Sequence, residues 1–239
     1  MPSFKFVGDK GILIEFAGEI SKKINEKVRS MDHSIQKANF SGIQEIIPTY
    51  RSLLILFDPL KTDRNMLMQR IKELDYLPDS ENHPEPRRMI IPVKYGGKFG
   101  PDLNFVADHN GLTRDEVIDI HTGQDYRVYM LGFTPGFPYL GGMSKEIAAP
   151  RLDSPREEIS KGSVGIAGDQ TGIYPLDSPG GWRLIGRTPL ELFAPEREEP
   201  ILFKVGDILN FESISQERYD ELREKIVGGE FDLASVIEE

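Results

Sequence analysis

The sequence predicts a small α+β domain at the N-terminus followed by a mostly-β barrel or sandwich. Three observations carry that expectation. Strand-like and helix-like apolar periodicities alternate from Gly11 to Leu74. A polar, proline-bearing stretch, Leu77–Arg88, then interrupts them. From Tyr126 onward, short strand signals recur between frequent glycines and prolines. A length of 239 residues suits one large or two small domains, each able to bury a core.

Gly11–Phe16 reads as a strand between two glycines. Ile24, Val28, Met31 and Ile35 fall at helical spacing after Ser21, a plausible N-cap, and predict a helix to Ala38. Strands are expected over Ile43–Ile47 and Ser52–Phe57, parted by Pro48-Thr49-Tyr50. Thr62 or Asp63 caps a helix running to Leu74, with Met66, Leu67, the stem of Arg70, Ile71 and Leu74 as its apolar stripe. Pro78, Pro84 and Pro86 sit among polar residues with little to bury, so the domain boundary falls near residue 85.

The second domain, 86–239, opens with the strand Met89–Tyr95, interrupted by Pro92, and a Gly96-Gly97 turn. A short helix is expected over Pro101–His109. Thr113-Arg114-Asp115-Glu116 is a capping-box sequence that opens another, to His121. Short strands follow at Tyr126–Leu131, Ser163–Ala167, Gly172–Tyr174, Trp182–Gly186, Leu190–Phe193 and Asp207–Phe211. A closing helix, Ser215–Val227, and an acidic tail complete the chain.

Composition excludes several functions. The longest apolar run, Leu53–Phe57, is far short of the ~20 residues that span a bilayer. With no charged-then-apolar leader at Met1–Lys5, a cytoplasmic protein without membrane contact is expected. Zero cysteines removes disulfides, a thiolate nucleophile and cysteine-type zinc sites. The net charge of −10 argues against nucleic-acid binding. Residues 196–239 hold 13 acidic side chains against 5 basic ones, a solvated face or a dock for a basic partner. No P-loop, dinucleotide fingerprint, His-Glu-x-x-His or Gly-x-Ser-x-Gly elbow is present, though Ser163 in Lys161-Gly162-Ser163-Val164-Gly165 lies near the last. The four histidines show no metal-ligand spacing, and no metal site is expected.

Chemistry concentrates in residues 130–190, which hold 11 of 23 glycines and the only tryptophan. Gly132–Gly142 cannot be a helix, and its prolines do not suit a central strand. It reads as a defined loop whose Phe133, Phe137 and Tyr139 either bury their rings or line a pocket. Arg151, Arg156, Arg183 and Arg187 fall in the same stretch, and each guanidinium can fork a carboxylate or phosphate. Salt bridges with nearby acids are the alternative. Gly180-Gly181 lets backbone amides approach an anion, while Gln170, Thr171, Tyr174 and Ser178 offer neutral hydrogen bonds. His121, at a helix C-terminus, is either a cationic cap or a general acid/base or substrate donor.

Three blocks resemble the family of 5-oxoprolinase B-type subunits, the KipI family: His121–Gly142, Gly162–Pro175 and Ser178–Pro189. The resemblance is strong over most of the second domain, and in the first rests on size and order of elements. It implies a small α+β domain followed by a cyclophilin-like barrel, formerly labelled allophanate hydrolase subunit 1. It also implies kinship with the carboxyltransferase part of urea carboxylases. Such members work with partner subunits of the C and A types to open 5-oxoproline to glutamate with ATP. ATP, with magnesium, belongs to the complex and is not certain for this chain, which is expected to be inactive alone. Other members are described as inhibitors of a sporulation histidine kinase, so that partner, like a carboxyl-transfer role, stays open. The expected catalytic residues are His121, Arg156 and Arg187. Phe137, Arg151, Ser163, Gln170, Tyr174, Gly180, Gly181 and Trp182 are the expected substrate contacts. Ser160-Lys161 stands where the family pattern has Pro-Ala, and Ala149 where it has Thr, which weakens the transfer of fine contacts.

Overall fold

Alternating apolar residues build a four-stranded antiparallel sheet in the first part of the chain. The computed structural model describes residues 2–16, 18, 21–74 and 86–238. The chain divides into two compact units, Met1–Glu85 and Pro86–Glu239. The first holds β1 (Ser3–Val7), β2 (Gly11–Glu15), α1 (Lys22–Ala38), β3 (Ile43–Pro48), β4 (Ser52–Phe57) and α2 (Arg64–Lys72), with strand order β1-β2-β4-β3. Ile12, Ile14, Leu53, Ile55 and Phe57 are fully buried, at about 1.5–3 kcal/mol each. They share one core with Val28, Met31 and Ile35 of α1 and Leu67 and Ile71 of α2. Ser21 caps α1 by accepting from the Ile24 amide at 3.3 Å. Asp63, not Thr62, caps α2, accepting from the Asn65 and Met66 amides at 2.9 Å. Met66 does not join the buried stripe: it is 64% exposed. β1, absent from the sequence expectation, is an edge strand with little burial, so it carries no strong period-two signal.

The second unit holds β5 (Arg88–Tyr95), α3 (Leu103–Asn110), α4 (Arg114–Thr122), β6 (Tyr126–Leu131), β7 (Pro138–Gly141), β8 (Arg156–Ile159) and β9 (Ser163–Ala167). Then come β10 (Gln170–Ile173), β11 (Ser178–Gly180), β12 (Arg183–Arg187), β13 (Ile208–Ser213), α5 (Gln216–Val227) and β14 (Ile237–Glu238). The main sheet runs β10-β9-β12-β5-β13-β6-β7, with β14 added to β5. Its two end strands, β10 and β7, lie side by side, so the sheet forms a nearly closed barrel. Among the described residues only β5 and β13 pair in parallel; β8 and β11 form a separate two-stranded ladder. Met89, Ile91, Val93, Val128, Val164, Ile185 and Leu209 are among the side chains that fill the interior.

Several local expectations differ. Residues 77–85 of the expected linker lie outside the described residues. Its last two residues are anchored: Arg87 donates from Nε and Nη2 to the two Asp207 oxygens at 3.0 and 2.5 Å, and Arg88 begins β5. Pro92 does not interrupt its strand. The Val93 carbonyl accepts from Ile214, so odd positions of β5 face β13 and Pro92 faces the other edge. On that edge β14 pairs at residues 88–89 and β12 at 94–95, so the missing N–H falls in a gap. Gly132–Gly142 is a loop only to Phe137; Pro138 opens β7, a first-residue position that suits proline. Leu190–Phe193 is not a strand. Leu190 and Leu192 are buried in irregular chain, with only Phe193 bridging to Ile201.

Candidate functional site

Residues 130–190 fold around a second, smaller core made of Phe137, Ile159, Ala167, Tyr174, Trp182 and Leu184. Phe137 lies at its centre. Its ring meets Tyr174 at 5.5 Å and Trp182 at 5.6 Å, both nearly perpendicular, and Tyr139 at 5.2 Å. Edge-on pairs of this kind add about 0.5–1.5 kcal/mol each beyond burial. Two glycines make the approach possible. A Cβ on Gly172 would lie 3.1 Å from both the Phe137 and Trp182 rings, and one on Gly180 would lie 2.5 Å from the Tyr174 hydroxyl. Gly181 has room for a side chain; its carbonyl accepts from the Leu152 amide at 2.7 Å. Burial, partly offset by the Trp182 backbone and by Arg151 and Arg156, pushes the Tyr174 hydroxyl up to about 12, so it stays protonated.

The four arginines do not converge on one point. Arg156, at the start of β8, is committed to Asp102, Nη2 to Oδ1 at 2.9 Å, and to the Trp182 carbonyl at 3.3 Å. Asp102, 8% exposed, also accepts from the Leu184 amide at 2.7 Å through Oδ2. The expected free fork at Arg156 is therefore a strut between β8, β12 and the start of α3. Arg183 donates to the Pro150 carbonyl and stacks 3.6 Å over the Phe105 ring. Four residues further along β12, roughly 13 Å for an extended chain, Arg187 donates only from Nε, to the Lys161 carbonyl at 2.8 Å. Its Nη groups make no bond among the described residues, nor does the exposed Arg151 guanidinium. Ser163 faces Arg187 in the β9–β12 register and is buried; Gln170 begins β10.

His121 is neither a cap nor an accessible acid/base. It is fully buried, and desolvation lowers its pKa from 6.5 to about 3, so the imidazole is neutral. The Thr171 hydroxyl donates to the Gly165 carbonyl at 3.0 Å and so accepts from His121 Nε2–H, also at 3.0 Å. Nδ1 then accepts from the Tyr95 hydroxyl at 2.8 Å, and the Tyr126 hydroxyl donates to the His121 carbonyl at 2.8 Å. This polar chain crosses the barrel interior from β5 to β9. With every partner satisfied and no solvent access, it ties strands together. Sequence alone does not single out Asp102 or Tyr95, because an aspartate before a helix and a tyrosine ending a strand have bland uses.

Two hydroxyls, one in the loop before β7 and one in β11, are unsatisfied. Phe133 holds a left-handed backbone (φ 64°) while 65% exposed, and the adjacent Thr134 hydroxyl is buried without a hydrogen-bond partner. The Ser178 hydroxyl, two residues before Gly180, is likewise unpartnered. Strained backbone and orphaned polar atoms are disfavoured unless something else uses them. Among the described residues no group of three or more His, Asp or Glu is placed to hold a metal, and no helix is long and apolar enough to cross a membrane.

A family model described as carboxyltransferase domain, subdomain C and D, matches residues 2–203. The B-type subunit of 5-oxoprolinase from Bacillus subtilis (strain 168) is 45% identical over 234 residues, covering 92% of this chain and 95% of its own. The chain belongs to the family of 5-oxoprolinase B-type subunits. The corresponding B-type subunit from Escherichia coli O157:H7 is 38% identical over 207 residues, 86% of this chain and 93% of that one. The crystal structure of TTHA0988 superposes with a TM-score of 0.78 at 35% identity, over 86% of this chain. This chain spans 40% of that longer polypeptide. The family match includes the aromatic cluster and all four arginines, and ends before β13 and α5.

Proposed function

We propose that this chain is one component of an ATP-dependent 5-oxoprolinase that opens 5-oxoproline to glutamate, working with partner subunits of types A and C and inactive without them. We read its barrel as cyclophilin-like, with the boundary between the parts near residue 85, in the cytoplasm. The observation that carries the mechanistic half is the Phe133–Phe137 loop. Its strained, exposed aromatic and the two orphaned hydroxyls stand beside a rigid aromatic core, as expected of a face completed by a partner.

A lactam is an unactivated amide, and ATP supplies the phosphoryl group that would make its oxygen a leaving group. The chain's own part is positioning. Arg187 or Arg151, each with guanidinium N–H groups to spare, binds the substrate carboxylate or a phosphoryl group. Gln170, the Thr134 and Ser178 hydroxyls and the backbone at Gly180-Gly181 orient the lactam. Ser163 holds Arg187 in register. Phe137, Tyr174 and Trp182 form the wall behind, which excludes water and strengthens those contacts. Arg156 and His121 act from the interior by fixing the strands.

The test is 5-oxoproline-dependent ADP release by the chain alone and after reconstitution with candidate partners of the A and C types. Release only from the assembled mixture is expected. An assembled mixture that releases no ADP would refute the reading and favour carboxyl transfer, the chemistry in the family model's own description.

A further inference from the structure

A second set of cations gathers on the β5 side of the β5–β12 ladder, where Lys94 is the register partner of Arg187. Lys94, Lys98 and Arg114 line one cleft of about 620 Å³. Its floor is apolar, built from Tyr95, Phe99, Leu103 and Ile118, and Asp115 is its one acidic lining residue. Lys94 lies one residue before the end of β5, Lys98 follows the Gly96-Gly97 turn, and Arg114 opens α4, so the end of β5 with its turn and the start of α4 deliver the charges. None of the three makes a salt bridge or hydrogen bond among the described residues. Lys98 rests 5.1 Å over the Phe99 ring, and Lys94 feels Glu217, whose carboxylate is engaged by its own amide and Ser215. Elsewhere in this acidic chain, Lys5, Arg87, Arg88, Arg156, Lys161, Lys204, Arg218 and Lys225 all sit in ion pairs.

The backbone adds to the positive character. Gly96 and Gly97 both hold left-handed conformations (φ 70° and 56°). The Gly96 amide is bound to the Ile185 carbonyl, while the Gly97 and Lys98 amides have no acceptor among the described residues. Successive amides left open beside cations suit an anion.

We propose that this cleft binds a small phosphate monoester carrying an apolar body. A phosphate monoester has a charge of about −1.5 to −2 at neutral pH, which adds to the two carboxylates, Asp115 in the lining and Glu217 beside Lys94, that face the three cations. A simple carboxylate brings half that charge, and a bare inorganic ion leaves the floor of Tyr95, Phe99, Leu103 and Ile118 uncovered. Lys94 neighbours Arg187 across the β5–β12 ladder, but Lys98 and Arg114 belong to the cleft alone, so their charge reversals test it whether or not the chain serves a 5-oxoprolinase.

The experiment is isothermal titration of the isolated full chain with phenyl phosphate, inorganic phosphate and phenol at low salt. Saturable one-to-one binding of phenyl phosphate is expected, at least tenfold tighter than inorganic phosphate, with phenol silent. Lys98→Glu and Arg114→Glu, both at exposed positions, should each weaken phenyl phosphate at least tenfold while leaving the urea midpoint unchanged. Three outcomes would overturn the proposal: no saturable binding, equal binding of inorganic phosphate, or affinity indifferent to both charge reversals.

Discussion

Acidification should destabilise the barrel unit through one histidine. His121 is buried among Tyr95, Tyr126, Thr171 and Phe211 with both ring nitrogens bonded, and burial takes its pKa from 6.5 to about 3. The unfolded chain gains the imidazole proton below about 6.5, whereas the folded chain refuses it until about 3. Stability from this group is therefore complete above the unfolded value and falls away as the pH drops through that window. Each pH unit inside it is worth ~1.4 kcal/mol, so moving from about pH 7.5 to about pH 4.5 removes on the order of 2–3 kcal/mol. Trp182 is the only tryptophan and lies buried in the same unit, so its fluorescence reports urea unfolding there. The comparison is wild type against His121→Gln, which offers an amide to the same partners and does not titrate. The variant is less stable at neutral pH and loses roughly 2–3 kcal/mol less on acidification, other titrating groups being common to both proteins. Equal losses in the two would refute the claim that the fold holds this imidazole neutral.

Arg156→Ala leaves the Asp102 carboxylate with the Leu184 amide alone, and should cost about 2–3 kcal/mol of stability by urea denaturation. Asp102→Ala should be less than additive with it in a double-mutant cycle. Gly180→Ala drives a methyl to within 2.5 Å of the Tyr174 hydroxyl and 2.8 Å of Ile159 Cδ1, and should cost about 1–3 kcal/mol. Adding Tyr174→Phe should return part of that loss, and no recovery would place the clash elsewhere. Arg187→Ala should leave the unfolding midpoint nearly unchanged yet lower turnover of the reconstituted enzyme at least tenfold, equivalent to ~1.4 kcal/mol of transition-state stabilisation. Full turnover in a folded variant removes Arg187 from the site.

Local chemistry was legible from the chain itself. Ser21, Asp63 and the Thr113–Glu116 box start their helices where hydrogen bonding within three residues dictates, and Ile12, Ile14, Leu53 and Ile55 bury on one face because strand periodicity leaves no other choice. The glycine-rich block 130–190 was also marked, since close ring packing against Gly172 and Gly180 permits no side chain there. Tertiary structure alone decided what each polar group faces. Arg156 and Arg187 look alike in sequence, yet a carboxylate 54 residues away occupies one fork and leaves the other open. His121 sits at a helix end that favours a cation, but the barrel closes over it, and desolvation outweighs the helix dipole. Pro92 reads as a break and is harmless only because β14 ends before it and β12 begins after it. Burial and long-range pairing set these outcomes, and both depend on which distant strands become neighbours, a property of the closed sheet and not of any window of sequence.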